Sequence, residues 1–288
     1  MPVWQTIDRR CDPTRVLTLT EVRLLLADLR ARVNKRVYGR KMVGQKARHH
    51  INLAMVNLAV CCGLRATEIA GVKWKDVTLT GEKPSLRIRK EVAKGKKKAR
   101  IVPLWWNSAM VDELSAWRDF RSGKFRGLDR PQPRDPEILE APIICQPHTG
   151  SRGGTSYYAG EACRPNSLTP KFKTILKNCG LTEERIEQLQ GLHAGRRTFA
   201  THALDAGRML TEVRDACGHG SIGTTSIYLY ALESESARDL YDGDRHGEAN
   251  PPDVIQELIG EITRLRKEMR KQGLTNNLMP PDSSPEPR

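Results

Sequence analysis

Residues 47–62 constrain the fold more than any other stretch. Ile51, Met55, Leu58 and Cys62 recur at helical spacing in a segment that is apolar on most sides, and Gly63 supplies the stop. A helix of that kind is buried, so other elements must wrap it. Arg65 then stands just past a buried helix's end.

The surrounding patterns are mostly helical. Thr18-Leu19-Thr20-Glu21 precedes Val22, Leu25, Leu26 and Leu29, which predicts an N-capped amphipathic helix within 14–33. Residues 86–92 and 100–104 read as short strands joined by Lys94-Gly95-Lys96-Lys97-Lys98, a hairpin with a basic tip. Asn107 caps a helix carrying Met110, Leu114 and Trp117 on one face. From 122 to 165 periodicity is lost among Gly, Pro, Ser and Arg, which predicts a long surface excursion with Ile143-Ile144-Cys145 as its buried stretch. Helical patterns resume at 168–178, 182–190, 194–206, 211–217 and 224–230. No internal repeat is present. The expected class is α+β, mainly α-helical, with a small antiparallel β-sheet or hairpin.

Past residue 242 the composition becomes that of a linker, 243–253. Ile255, Leu258, Ile262, Leu265 and Met269 then form an a/d seam in an amphipathic helix over 254–272. Its two heptads fall short of the three or four that define a coiled coil. The Pro/Ser-rich end, 273–288, is expected to be disordered.

Charge narrows the partners. Of 288 residues, 48 are Lys or Arg and 34 Asp or Glu, a net charge of +14. Such a surplus favours a polyanion, although ribosome-like or membrane-surface roles fit charge alone. Residues 83–100 concentrate it, with Lys83, Arg87, Arg89, Lys90, Lys94, Lys96, Lys97, Lys98 and Arg100 against the single acid Glu91. A ribbon with a basic tip can track phosphates, or be a solvated loop. No apolar run approaches membrane-spanning length and the N-terminus lacks a signal-peptide core, so a cytoplasmic or nucleoid-associated protein is expected. Seven cysteines without a Cys-x-x-Cys pair argue against a disulfide framework and a zinc knuckle.

Gly-x-Ser-x-Gly, His-Glu-x-x-His and phosphate-loop motifs do not occur. Cys217, His219, His193 and His202 lack paired metal-ligand spacing, so neither metal nor cofactor is expected. Cationic and phenolic residues at helix ends stand out instead: Arg65, His193 and Arg196 one turn apart, and His219 and Tyr228 around a Gly-rich bend. Two converging guanidinium groups can hold a phosphodiester and its pentacoordinate transition state. A tyrosine hydroxyl can attack it and conserve the bond energy in a phosphotyrosine, without ATP or Mg²⁺. The hairpin lysines can protonate the leaving oxygen. Singly, Arg65 also fits a helix-terminal charge, His193 a cap and Tyr228 a core aromatic.

In combination these residues resemble the tyrosine recombinase, or phage integrase, family. Cys62-Gly63-Leu64-Arg65-Ala66-Thr67-Glu68-Ile69 is similar to its first arginine box, and Lys94-Gly95-Lys96-Lys97-Lys98-Ala99-Arg100-Ile101-Val102-Pro103-Leu104 to its β-hairpin. His193-Ala194-Gly195-Arg196-Arg197 resembles its His-x-x-Arg box. The segment from Gly218-His219-Gly220 to Tyr228 resembles the last box, whose nine-residue step selects Tyr228 over Tyr230. The resemblance covers roughly 14–242, after an extension 1–13.

It implies a site-specific recombinase or integrase catalytic domain in which Tyr228 attacks the scissile phosphate and becomes 3′-linked. Arg65 and Arg196 would neutralise the phosphorane, Lys94 (or its neighbour Lys96) would protonate the 5′ oxygen, His193 would assist proton transfer and His219 would bond the phosphate. Glu68 would brace the arginine box. Lys90, Lys96, Lys97, Lys98, Arg100 and Arg197 are expected on the DNA. The implied partners are double-stranded DNA and further copies of the chain, as a tetramer exchanging a C-terminal segment, 233–242 or 255–269.

A catalytically silent DNA-binding regulator and a type IB-like topoisomerase are the alternatives. Three departures from the family pattern are visible: Gly195 at a usually apolar place, Ala216-Cys217 before Gly218, and the long insertion 122–165. With about a dozen residues before the first helix, the family's N-terminal core-binding domain is expected to be absent from this chain, either cut away or naturally missing.

Overall fold

The computed structural model describes residues 11–35, 40–93, 99–124, 138–152, 155–157, 159–229 and 240–241. Linker, seam and tail beyond 242 lie outside them, as do Lys94, Lys96, Lys97, Lys98 and Tyr230.

Helix α1 spans Leu19–Asn34. Thr18 Oγ1 accepts from the Glu21 amide and the Glu21 carboxylate accepts from the Thr18 amide, a reciprocal cap. The helix starts later than 14 because Pro13–Arg15 form a 3₁₀ turn capped by Asp12. Leu17 is then tied in extended form, its N–H on Thr198 Oγ1 and its carbonyl on the His202 ring.

Helix α2, Arg40–Val60, is the buried one, packed against α1, α4 and α7. Its Ile51, Met55 and Leu58 are fully buried. Against it, α7 (His193–Asp205) approaches closely: a Cβ on Gly195 would lie 2.7 Å from the Ala59 Cβ. The glycine at that usually apolar place is therefore a packing requirement. Helix α4, Ser108–Lys124, is capped as expected by Asn107 Oδ1 on the Met110 amide, and buries Met110, Leu114 and Trp117.

Between α2 and α4 lie α3 (Ala66–Gly71) and an antiparallel sheet in the order β1 (Val77–Thr78), β2 (Ser85–Ile88), β3 (Arg100–Pro103). Leu86 pairs with Val102 and Ile88 with Arg100. Two features differ from expectation. Strand β1 was not anticipated, and β2 stops at Ile88 because Arg89 turns in to Asp76 (2.8 Å) and the Gly71 carbonyl (3.0 Å). The Val92 and Ala93 amides then fold back on the Arg89 carbonyl.

The stretch 122–165 holds more order than its composition suggested. Helix α4 enters it, a short hairpin pairs β4 (Gly150–Arg152) with β5 (Thr155–Tyr157), and Ile143, Ile144 and Cys145 are fully buried as expected. Helices α5 (Pro165–Asn178), α6 (Glu183–Leu189), α8 (Leu210–Cys217) and α9 (Ile222–Ser226) follow, each within a few residues of its expected place. The fold is mainly helical with a small antiparallel sheet.

Candidate active site

The site is built on chain ends that converge. Arg65 is the residue before α3; its amide donates to Glu68 Oε2 (2.9 Å) and its Nη1 to Oε1 (3.1 Å). Glu68 is fully buried. From β3, Arg100 reaches the same carboxylate with Nη1 (2.9 Å) and Nη2 (2.8 Å), while its Nε donates to the Ala216 carbonyl (2.9 Å) near the end of α8. Burial pushes the Glu68 carboxyl up, but Arg100 and Arg65 outweigh it and hold the pKa below the ordinary carboxylate value.

A third guanidinium comes from α7. Arg196 is 1% exposed and donates from Nη1 to the Gly63 carbonyl (2.8 Å) and from Nη2 to the Cys217 carbonyl, tying the ends of α2 and α8 together. Burial lowers its pKa, and the charges of Arg65 and Arg100 act in the same direction. Arg65 and Arg100 thus share one carboxylate, and Arg196, bonded to backbone carbonyls, lies within electrostatic reach of all three. The local surplus is two positive charges, which suits an anion.

Past Cys217 the chain turns on Gly218 (φ +64°) into His219. The His219 Nδ1 lies 2.8 Å from Thr225 Oγ1 on α9, and the ring stacks on Tyr228 with centroids 6.2 Å apart and planes at 15°. Burial first, then Arg196, Arg65, Arg100 and His193, bring the His219 pKa down to about 3, so the ring is neutral at physiological pH. Tyr228 itself is 6% exposed. Burial raises its phenol, aided by Cys11 and Cys217 and opposed by Arg196 and Arg197. Its amide bonds the Thr225 carbonyl (3.1 Å), and the Cys11 N–H donates to the adjoining Ile227 carbonyl (2.7 Å).

The sequence profile of the phage integrase family matches residues 40–235. The chain belongs to that family. Tyrosine recombinase XerC of Myxococcus xanthus is 25% identical over 189 residues, 66% of this chain and 53% of the relative. XerC of Bradyrhizobium diazoefficiens is 30% identical over 195 residues, 65% and 48% of the two chains. The chain spans about half the length of the curated relatives it matches. Among solved structures, the XerH site-specific recombinase bound to a palindromic difH substrate, a post-cleavage complex, superposes with a TM-score of 0.51 at 23% identity, covering 76% of this chain and 50% of that one. XerA recombinase gives 0.50 at 18% identity, covering 79% and 64%. These likenesses establish the fold.

In this integrase-family domain, Arg65, Glu68, Arg196, His219 and Tyr228 lie in one cluster, and His193, exposed at the first residue of α7, is close enough to act electrostatically on His219. The tip lysines, Lys94 among them, lie outside the described residues. Lys90 is exposed on the turn after β2. Arg100 requires a correction: expected on the DNA, it points inward, its side chain 11% exposed and its donors on Glu68 and Ala216. The strand alternation carried that signal, since Arg100 shares a face with fully buried Val102 while Ile101 between them is 52% exposed. Arg197 is half-buried, with Nη1 buried and without a hydrogen-bond partner. Thr225, fully buried against His219, was not singled out from sequence. Nor was a groove of about 640 Å³ whose lining includes Arg48, Asn52, His148, Arg164 and Lys171.

Proposed function

We propose that this chain is the catalytic domain of a site-specific DNA recombinase working through a 3′-phosphotyrosine at Tyr228. The observation that carries the reading is the cluster itself: two excess positive charges beside a neutral imidazole, with the only described tyrosine of the last box stacked on that imidazole. Arg65 and Arg196 bind the scissile phosphate and take up the charge that grows on its oxygens. With Thr225 donating to Nδ1, His219 presents Nε2–H to a phosphate oxygen.

The Tyr228 oxygen forms the new bond to phosphorus as the bond to the 5′ oxygen breaks. The phenol proton leaves toward His193, and a tip lysine, Lys94 or Lys96, delivers a proton to the departing 5′ oxygen. Reversal by a 5′ hydroxyl of another strand releases the tyrosine and rejoins the DNA. Because Tyr228 lies stacked and buried, the turn after α9 carries the ring outward before attack.

Lys90, the tip lysines and Arg197 contact phosphates in this reading, and the protein works in the cytoplasm, on the nucleoid, as a tetramer on two duplexes. Residues 14–242 form the catalytic domain, 243–253 a linker, and 254–272 a helix that packs on a neighbouring copy. Among the described residues no helix is long and apolar enough to cross a membrane.

The test uses a pool of nicked suicide duplexes tiled across the source genome, incubated with the full chain in chelator. Wild type is expected to yield protein–DNA adducts that survive denaturant, and Tyr228→Phe none. Adducts from Tyr228→Phe that vanish in Tyr230→Phe would move the nucleophile; no wild-type adduct with any duplex would remove the reading.

A further inference from the structure

Arg100 joins three parts of the chain that are distant in sequence. Its fork grips both oxygens of Glu68 at 2.9 and 2.8 Å, and Glu68 in turn holds the Arg65 amide and guanidinium. Its Nε grips the Ala216 carbonyl, and its stem lies against the bend before His219, since a Cβ on Gly218 would come within 2.9 Å of the Arg100 Cδ. Only a planar guanidinium makes these three bonds at once; an ammonium keeps the charge and loses the fork. Without it, fully buried Glu68 would face Arg65 alone, free to draw that guanidinium inward and away from a bound anion.

We propose that Arg100 is a positioning residue that sets the spacing between Arg65 and His219 by clamping Glu68 to the end of α8. The proposal rests on the recombinase reading for its catalytic consequence, but the clamp can be tested without DNA.

Full-length wild type, Arg100→Lys and Arg100→Ala are compared in three measurements. Orthovanadate, which adopts the five-coordinate shape of a phosphorane, is titrated while the His219 ring signals are followed by NMR. Both variants are expected to bind it at least about tenfold more weakly, Arg100→Lys included, because charge without the fork does not restore the geometry. For Arg100→Lys, which keeps the charge, affinity for a random-sequence duplex and its salt dependence should match wild type. On duplexes that trap wild type, adduct formation at saturating DNA should slow about a hundredfold, the scale of an ångström-sized misplacement.

If Arg100→Lys equals wild type in vanadate affinity and adduct rate, or wild type shows no vanadate binding, the clamp is wrong. A salt slope lower by about one with the saturated rate unchanged would make Arg100 a phosphate contact instead. Should Arg100→Ala show no cooperative melt, Arg100→Lys decides. A wild type that binds vanadate but traps no duplex overturns the recombinase reading while leaving the vanadate result to judge Arg100.

Discussion

The arginine cage and the segment that carries the proposed nucleophile, Tyr228, are held in opposite ways. Arg196 sits on the thirteen-residue helix α7 with its guanidinium on carbonyls at the ends of two other helices, and Arg65 and Arg100 share a buried carboxylate. Tyr228 follows a five-residue helix whose N-cap, Ser221, makes no side-chain cap bond, and among the described residues the Cys11 amide on the Ile227 carbonyl is the backbone hydrogen bond that ties this segment to a distant part of the chain. Under the proposed mechanism the groups that would stabilise charge are already fixed in place, as preorganised electrostatic stabilisation requires. The group that the proposed mechanism would move is lightly tethered.

The hardest blow to this contrast falls on the cage. Arg196→Lys keeps a positive charge but cannot span the Gly63 and Cys217 carbonyls and still face a phosphate. Adduct formation at saturating DNA should fall by about a thousandfold, with duplex affinity nearly unchanged. A variant within tenfold of wild type would mean that charge, not its fixed placement, is what the site requires.

Hydrogen exchange sharpens the other side. Amides of 227–229 hang on short-range turn bonds to Thr225 and Ser226, whereas those of 198–203 lie in a buried helix. The first group should exchange on the order of a hundredfold faster than the second. Equal protection would mean that Tyr228 is locked in place, and the outward swing required for attack would fail.

The same contrast explains what could be read from sequence. The helix ends near Arg65 follow from local rules, an apolar run, a glycine stop and a cap three residues from an acid, whereas Arg65 and Arg196 as site residues rest on the resemblance of their boxes to the family. Those rules act within one turn of helix and so can be read without knowing the tertiary contacts. The direction of Arg100 is also local, written in the alternation with Ile101 and Val102, yet a run of basic residues reads as surface and masked it. What was not legible depends on contacts across the chain. Strand β2 ends where Arg89 finds Asp76, β1 is two residues long, and the burial of Tyr228 reflects the His219 stack and the link to Cys11. Gly195 was visible as an oddity, but only Ala59 across α2 gives its reason.

Acid should loosen the core and the site, each through its own histidine. His50 stacks on Trp117 (5.5 Å) and Phe120 (5.0 Å) in the core, and burial, with Lys46 and His49, brings its pKa to about 4. In the site, His219 lies at about 3. Their unfolded value is 6.5. Between that value and the folded ones the unfolded chain binds more protons, so stability is full above 6.5 and falls as pH drops toward 4 and 3. His49, His148 and His202, lowered by burial first, act in the same direction. The melting midpoint should therefore drop on the order of 5 °C between pH 7 and pH 5, before Glu68 and Glu21, whose pKa values lie below 4.5, take up protons. His50→Phe keeps the ring stack without a titrating group, so its midpoint should fall by a smaller amount over that range, the remainder being shared by His219, His49, His148 and His202. A midpoint that stays flat from pH 7 to pH 5 would show that neither imidazole is held neutral by its surroundings, and the cationic field assigned to the arginine cage would have to be weaker than its geometry implies.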